Sequence, residues 1–193
     1  MFQRHRSLPL FSEAVHAPAE EGAPNGAGKP PVHDAEEMKR RAQIAREVSA
    51  NFGQIVSLLM RSRSHRHHML SDLEYLIVPA IATRQFRVAE GVSAEAGLVA
   101  PVAAVLWASV NDAVDKRLTE ALDQPLRLKP AEWKSGSHVW IVEAVGEPKA
   151  INALLQHLKQ NELKEARVKM RVAGKDGRPT LGRVELQGDT SAA

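Results

Sequence analysis

The pattern of apolar residues first becomes regular at Asp34, where it predicts a long helix. Apolar side chains recur mostly every three or four positions and so fall near one stripe of that helix: Met38, Ile44, Val48, Phe52, Ile55 and Leu59. A second helical segment covers residues 72–78. Pro79 breaks or kinks that segment, because proline lacks the N–H group that a helix interior requires. The folded region therefore begins with two predicted helices.

Two strands and a short helix are predicted next. Residues 85–90 and 99–107 have the composition of strands, and a loop rich in glycine and alanine separates them. Asn111 is placed to cap the following helix, because its side-chain oxygen can accept a hydrogen bond from a free N–H group of the first turn. The inner face of this helix is predicted to hold Val114, Leu118 and Leu122.

The last third of the chain predicts a strand, a helix and a pair of strands. Residues 138–144 alternate like a strand, and Pro148 suits the first position of the helix that follows. The next strand is predicted to be half buried, with a basic outer face. Its apolar members are Val168, Met170 and Val172, and its basic members are Arg167, Lys169 and Arg171. A turn at 175–177 returns the chain through a last strand at 181–186.

This order of elements predicts an α/β (α+β) fold in which helices flank a mixed central sheet. The alternation is too irregular for a doubly wound sheet, and neither G-x-G-x-x-G nor a Walker loop occurs, so nucleotide-driven chemistry loses most of its support. The length of 193 residues fits one domain, predicted at 34–188. Residues 1–33 hold five prolines and three glycines without periodicity and are predicted to form a disordered tail. Residues 189–193 are predicted to be a flexible C-terminus.

Composition narrows the class of protein further. The formal net charge is +3, and the chain has no cysteine, which excludes disulfides, thiolate metal sites and a cysteine nucleophile. The most apolar stretch, residues 97–108, is shorter than the roughly 20 residues that span a bilayer, so no integral membrane segment is expected. No apolar run of signal-peptide length follows the first basic residues. A cytoplasmic protein is therefore expected.

The densest polar feature is the run R-S-R-S-H-R-H-H at residues 61–68, where the first long helix ends. A metal site, a solvated basic loop and a catalytic site are the three interpretations. The metal site is the weakest, because adjacent histidines alone supply no third ligand and the arginines repel a cation. Those arginines are expected to keep a nearby histidine neutral, the form that a general base needs. Ser62 lies three residues before His65, so its hydroxyl is placed to orient that ring.

Glu143 is the candidate partner of that histidine. By alternation along the strand it shares a face with Val139 and Ile141, the face that such a strand normally buries. A carboxylate there is desolvated unless it is paired, which raises its pKa and makes it a functional-site candidate. The plainer alternative is a glutamate at a strand end that points into water. Next to His65, the carboxylate would fix the ring tautomer and stabilise the imidazolium as it forms.

Five short motifs occur in order along the chain: Ser62-x-x-His65-Arg66, Val78-Pro79-Ala80-Ile81, Trp107-Ala108, Trp133-x-Ser135-Gly136-x-x-x-Trp140 and Leu181-Gly182-Arg183-Val184. Each motif is weak by itself, but their joint order and spacing are specific. On these motifs the chain, over about residues 52–188, resembles the RTX toxin-activating lysine acyltransferases, the hemolysin C-type activating proteins.

The resemblance implies a GNAT-like acyltransferase fold that is often dimeric, so a homodimer is one expected state. It implies transfer of a fatty acyl group from acyl carrier protein to internal lysines of an RTX-type protoxin. His65 takes the place of the family's catalytic histidine and Ser62 that of its supporting serine, and Glu143 falls where the family usually has an aspartate. No metal and no bound cofactor are implied. The acyl carrier protein, with its phosphopantetheine thioester, is a co-substrate.

The expected donor contacts are Gly146, Lys149, Arg167, Lys169 and Arg171. The turn at 146–149 opens a helix whose free N–H groups are placed to hold the phosphate of a phosphopantetheine arm. The segment 164–183 has seven basic residues against two acidic ones, which suits an acidic carrier protein, although plain solvation would also explain it. Nucleic acid is not an expected partner, because the segment contains no aromatic residue on which a base can stack.

Three functions are consistent with the sequence. The first is an acyl-carrier-protein-dependent lysine acyltransferase that acts on an RTX-type protein. The second is a GNAT-like transferase that uses acyl-CoA on another substrate. The third is a binding module without catalytic activity on the same fold.

Overall fold

The computed structural model describes residues 32–92, 97–164, 166–174 and 176–184. The predicted N-terminal tail up to residue 31 and the predicted flexible C-terminus at 189–193 lie outside the described residues. So do Lys175 of the predicted turn and residues 185–186 of the last predicted strand. The chain divides into two units, 1–38 and 39–193, and of the first unit only residues 32–38 are described.

The described elements are, in chain order, α1 (Val32–Arg61), α2 (Leu70–Leu76), α3 (Val78–Thr83), β1 (Phe86–Val92), β2 (Val99–Val110), α4 (Asp112–Glu120), a 3₁₀ turn (Pro130–Glu132), β3 (His138–Gly146), α5 (Pro148–Asn161), β4 (Val168–Ala173) and β5 (Pro179–Arg183). They confirm the predicted α/β architecture with a mixed sheet flanked by helices. The short helix α3 was not predicted. Pro79 lies in its first turn, where the missing N–H group would have no partner within the helix, so Pro79 begins α3 as well as ending α2.

The five strands form one sheet in the order β1-β2-β3-β4-β5. Neighbouring strands are antiparallel except β3 and β4, which are parallel and are connected through α5. The pairing of β3 with β4 is confined to Val139 with Val168 and Trp140 with Lys169. Beyond these two pairs the strands separate, and the gap between them opens beside Glu143.

Apolar side chains are buried on both faces of the sheet. One core lies between the sheet and the helices α1 to α4, and it includes Ile55, Leu59, Leu106, Trp133 and Trp140. The other core lies between the sheet and α5, and it includes Val105, Trp107, Val139, Ile141 and Leu158. Alternate residues of β2 enter opposite cores, as the two-residue period of a strand requires.

Helix α1 is buried only in its C-terminal part, in contrast to the continuous apolar stripe that the sequence predicts. Ile55 and Leu59 are almost fully buried, and Phe52 packs at the edge of the same core. Met38, Ile44 and Val48 are exposed to 69%, 40% and 44%. The periodicity correctly predicts a helix. It shows that the helix has an apolar face, but it does not show how much of that face packs against the sheet.

Helix α4 begins where the sequence predicts. The Asn111 side chain accepts a hydrogen bond from the Val114 N–H at 3.0 Å, which confirms the predicted cap. Val114 and Leu118 are buried, and Leu122 packs against the same core. The described helices include none whose length and apolar content would suffice to span a bilayer.

Candidate active site

The segment that joins α1 to α2 is a succession of tight turns. The N–H groups of His65 and Arg66 both donate to the Ser62 carbonyl, and the His68 N–H donates to the His65 carbonyl. These turns direct Ser62 and His65 inward. The other members of the run at 61–68 are exposed.

The turns place the Ser62 hydroxyl on the imidazole of His65. Ser62 Oγ lies 2.7 Å from His65 Nδ1. Ser64 Oγ lies 3.0 Å from the same nitrogen and 3.1 Å from Ser62 Oγ. Two hydroxyls therefore meet at Nδ1. Ser64 was not singled out from the sequence, where its position next to His65 gave no signal of the contact.

A β-bulge determines which face of the sheet Glu143 occupies. Leu106 of β2 is opposite Glu143, but its neighbour Trp107 is opposite Ile141, so Val142 is the extra residue on β3. Directly opposed residues of an antiparallel pair point to the same face. Glu143 therefore lies on the face of Leu106, towards α1, whereas Val139 and Ile141 lie in the core against α5. The prediction that all three share one face is wrong, because the bulge shifts the alternation by one residue.

The bulge brings the carboxylate of Glu143 to the other ring nitrogen of His65. His65 Nε2 and Glu143 Oε2 are 3.1 Å apart, and the two side chains are 16% and 19% exposed. The second oxygen, Oε1, accepts a hydrogen bond from the Ala144 N–H at 2.9 Å. Hydroxyl, imidazole and carboxylate thus form one hydrogen-bonded series from Ser62 through His65 to Glu143.

The Glu143 carboxylate raises the pKa of His65 above its ordinary value, chiefly through the hydrogen bond, while partial burial of the ring opposes the shift. The sequence-based prediction that the neighbouring arginines hold the ring neutral is wrong in direction. Arg61, Arg63 and Arg66 are exposed, so solvent screens their charges, whereas the carboxylate touches the ring.

The partners also determine the tautomer of the neutral ring. An ionised carboxylate can only accept hydrogen bonds, so Nε2 carries the proton that faces Glu143. The lone pair is then on Nδ1, where the hydroxyls of Ser62 and Ser64 lie. A proton taken up by His65 is therefore received at Nδ1, and the imidazolium that results is stabilised by Glu143 at Nε2.

The other histidines of the run make no comparable contact. The exposed His68 ring lies edge-on to His65, with 5.5 Å between the ring centroids. His67 is exposed. Across the described residues, no three His, Asp or Glu side chains are grouped so that they could hold a metal ion.

Three cavities border this series of hydrogen bonds. The first, of about 600 Å³, lies between β3 and β4 where these strands separate, and Glu143 and Arg171 are in its lining. The second, of about 350 Å³, lies between α2 and β3 and also reaches Glu143. The third, of about 340 Å³, is bounded by Ser62 and by the turn at Gly146. Space for substrates is thus available beside Glu143 and beside Ser62.

Gly146 and Lys149 lie at the turn between β3 and α5. Gly146 has φ +122, and a Cβ atom there would lie 2.2 Å from the Val102 carbonyl oxygen, so only glycine fits. The Glu147 N–H donates to that same carbonyl. The exposed Lys149 follows Pro148 in the first turn of α5. The turn therefore lies beside Ser62 across the third cavity.

The basic face predicted for β4 is largely engaged within the protein. Both oxygens of Asp115 accept from Lys169 Nζ at 2.8 Å, and Asp115 also accepts from Trp140 Nε1. The guanidinium of Arg171 donates to the carbonyls of Leu118, Ala121 and Gln124 at the end of α4. Of the three donor contacts predicted for this strand, only Arg167, which immediately precedes β4, is exposed. Alternation along β4 predicts on which face of the sheet each residue lies. It does not predict that α4 covers the basic face.

Together, these observations define the class of protein: an α/β protein whose partly buried Ser–His–Glu series borders several cavities, as an acid–base catalyst requires. The family model of the RTX toxin acyltransferases matches residues 44–185, more than half of the chain. The chain therefore belongs to the RTX toxin acyltransferase family, and the resemblance noted from its motifs is confirmed. A comparison with curated proteins found no matching sequence.

Proposed function

We propose that the protein transfers a fatty acyl group from acyl carrier protein to a lysine of an RTX-type protein, with His65 as the general base. Membership of the family makes the protein an acyltransferase of RTX toxin activation. The observation that carries the finer proposal is the contact of His65 with Ser62 at one nitrogen and with Glu143 at the other. We place the reaction in the cytoplasm, where acyl carrier protein is available before the toxin is exported.

The gap between β3 and β4 suits the acyl donor. Its lining is mostly apolar, which matches a fatty chain, and it reaches the catalytic pair at Glu143. The limited pairing of β3 with β4 is what leaves this gap open between the two parallel strands. The turn at Gly146 and Lys149 lies beside Ser62 and is our candidate for holding the phosphopantetheine phosphate. Of the three basic residues predicted for β4, Arg167 is the exposed one, and it is our candidate contact for the acidic carrier protein.

The chemistry follows from the tautomer. A lysine ammonium is unreactive until it loses a proton, and Nδ1 of His65 is the atom that receives this proton. His65 releases this first proton to solvent and is neutral again. The amine nitrogen then forms a bond to the thioester carbonyl carbon and loses its second proton to Nδ1 of His65, and the carbon–sulfur bond breaks. The proton on His65 then passes to the departing pantetheine thiolate, which leaves the ring neutral for the next cycle. Glu143 stabilises the imidazolium between these two transfers.

The proposal is tested by reconstitution. The full chain is incubated with acyl carrier protein that bears a radiolabelled fatty acyl group and with an RTX-type acceptor, and the acceptor is analysed by mass spectrometry. We expect an amide-linked acyl group on lysine and release of free carrier protein. Label transfer from acyl-CoA but not from the carrier protein would favour the second function, a GNAT-like transferase. No transfer from either donor would contradict catalysis and favour a binding module.

The two serines at Nδ1 provide a more specific test. Ser62 Oγ occupies the position from which a proton reaches Nδ1, so Ser62→Ala is expected to lower kcat by roughly tenfold. Ser64→Ala is expected to have a smaller effect, because the contact of Ser64 with Nδ1 is longer. The double variant is expected to lose more than either single variant, since one hydroxyl can partly replace the other. Single-turnover acylation rates measure this order. Equal rates in all four proteins would contradict a role for these hydroxyls.

A further inference from the structure

The cavity between α2 and β3 has no role in the donor path described above. It occupies about 350 Å³, within the range of about 300–1,000 Å³ that is common for small-ligand sites. Part of its lining is apolar, formed by Leu76, Leu126 and Val142, and part is polar, formed by Asp72, Tyr75 and Glu143. An elongated ligand with an apolar stem and a charged end matches such a lining better than a hydrocarbon chain does.

This cavity and the donor cavity share one part of their walls. Leu126, Val142 and Glu143 line both. Acyl transfer requires that two substrates approach one reacting centre from different directions, within bonding distance of each other. The Glu143 carboxylate, which holds His65, is where the two cavities meet.

The polar part of the cavity favours a cation. The carboxylate of Asp72 accepts hydrogen bonds from the Tyr75 hydroxyl and from the Met69 N–H, and these two bonds lower its pKa. Asp72 and Glu143 thus supply two carboxylates. The guanidinium of Arg127 and the ring of His68 also border the cavity. Arg127 lies over the Tyr75 ring, 5.0 Å from its centroid, and is exposed to solvent.

We propose that this cavity is the acceptor subsite, which receives the lysine side chain and adjoining backbone of the protein to be acylated. The methylene stem packs on Leu76, Leu126 and Val142, and Asp72 attracts the ammonium group on its way to the His65–Glu143 pair. This inference rests on the proposed function, because it assigns the second substrate of that reaction.

The test separates acceptor binding from donor binding. With the reconstituted reaction, KM is measured for the RTX-type acceptor and, separately, for acyl carrier protein. Leu76→Trp is expected to fill the cavity and raise the acceptor KM by tenfold or more. Asp72→Asn, which removes the charge and keeps the shape, is expected to raise it about fivefold. The matched control is Glu74→Gln on the same helix, since Glu74 is exposed and does not line the cavity. Donor KM is expected to stay within twofold of the parent in all three.

The possible results lead to different conclusions. An unchanged acceptor KM in both Leu76→Trp and Asp72→Asn would overturn the subsite, as would a raised donor KM. A change to shorter acyl chains in Leu76→Trp would show that the cavity holds the acyl chain, which also contradicts the proposal. If Leu76→Trp does not fold, Asp72→Asn decides alone. Failure of the proposed function is recognised separately, because the parent protein would then acylate nothing.

Discussion

Replacement of His65 by alanine is expected to abolish acylation while the fold is retained. The imidazole is the only group in the described site that accepts a proton at Nδ1 and is stabilised at its other nitrogen by a carboxylate. General-base assistance contributes about 10²–10⁴-fold, so kcat is expected to fall by at least that order. The ring lies at the edge of the structured loop and not in either apolar core, so its removal leaves the packing of the sheet intact. Single-turnover acylation and thermal unfolding are the two measurements.

His67→Ala is the matched control for this variant. His67 lies two positions further along the same loop, is exposed and has no contact with Glu143 in the described structure. Its replacement is expected to leave kcat within twofold of the parent. If His65→Ala acylates its acceptor at nearly the parental rate, the general base has been assigned to the wrong residue. A large loss in His67→Ala would point to a role of the whole loop in substrate binding.

Glu143→Gln is expected to have the second-largest effect and to change the pH dependence in a defined direction. Because Glu143 raises the pKa of His65, activity in the parent protein increases with pH as the ring loses its proton. Removal of the negative charge lowers that pKa, so the rising limb of the profile moves to lower pH. The maximum rate falls roughly ten- to a hundredfold, since the imidazolium formed during the reaction is no longer stabilised. The measurement is kcat as a function of pH.

Glu143→Asp tests the length of the side chain separately from its negative charge. Aspartate keeps the charge but shortens the side chain by one methylene, which lengthens the 3.1 Å contact unless the backbone adjusts. We expect its rate to lie between those of the parent and Glu143→Gln, with a pH profile close to that of the parent. Glu120→Gln, which removes an exposed carboxylate of α4, is the control and is expected to behave like the parent. A Glu143→Gln profile whose limb does not move would contradict the pairing with His65.

Local signals in the sequence were sufficient for much of the fold. Asn111 predicts the start of α4 because an N-cap acts within three residues, and Pro148 predicts the start of α5 because its ring constrains only the adjacent backbone. The candidate residues Ser62, His65 and Glu143 were also chosen from the sequence, by side-chain chemistry and by family motifs. Their mutual distances, however, depend on how two segments far apart in the chain pack against each other.

What the sequence could not predict depends on neighbours in space. The position of Lys169 on β4 is correct, but its partner Asp115 comes from α4, and no local pattern indicates that pair. The predicted direction of the His65 pKa was wrong because it followed the three arginines adjacent in sequence, whereas the carboxylate of Glu143, which the sequence offers only as a candidate partner, touches the ring in space. The bulge at Val142 left no signal either, since the apolar and polar residues of β3 still look like one continuous strand.

The bulge determines which one-residue change strand β3 can accept. Val142 is the extra residue between the opposed pairs Trp107–Ile141 and Leu106–Glu143. If Val142 were lost, simple alternation from Ile141 would still place the next residue, Glu143, on the face of Leu106 and towards His65. If instead the bulge were lost while the number of residues stayed the same, the strand would slip by one position and the carboxylate would turn towards α5. A one-residue gap at Val142 in an alignment of two members of the family is therefore compatible with a carboxylate in the same place.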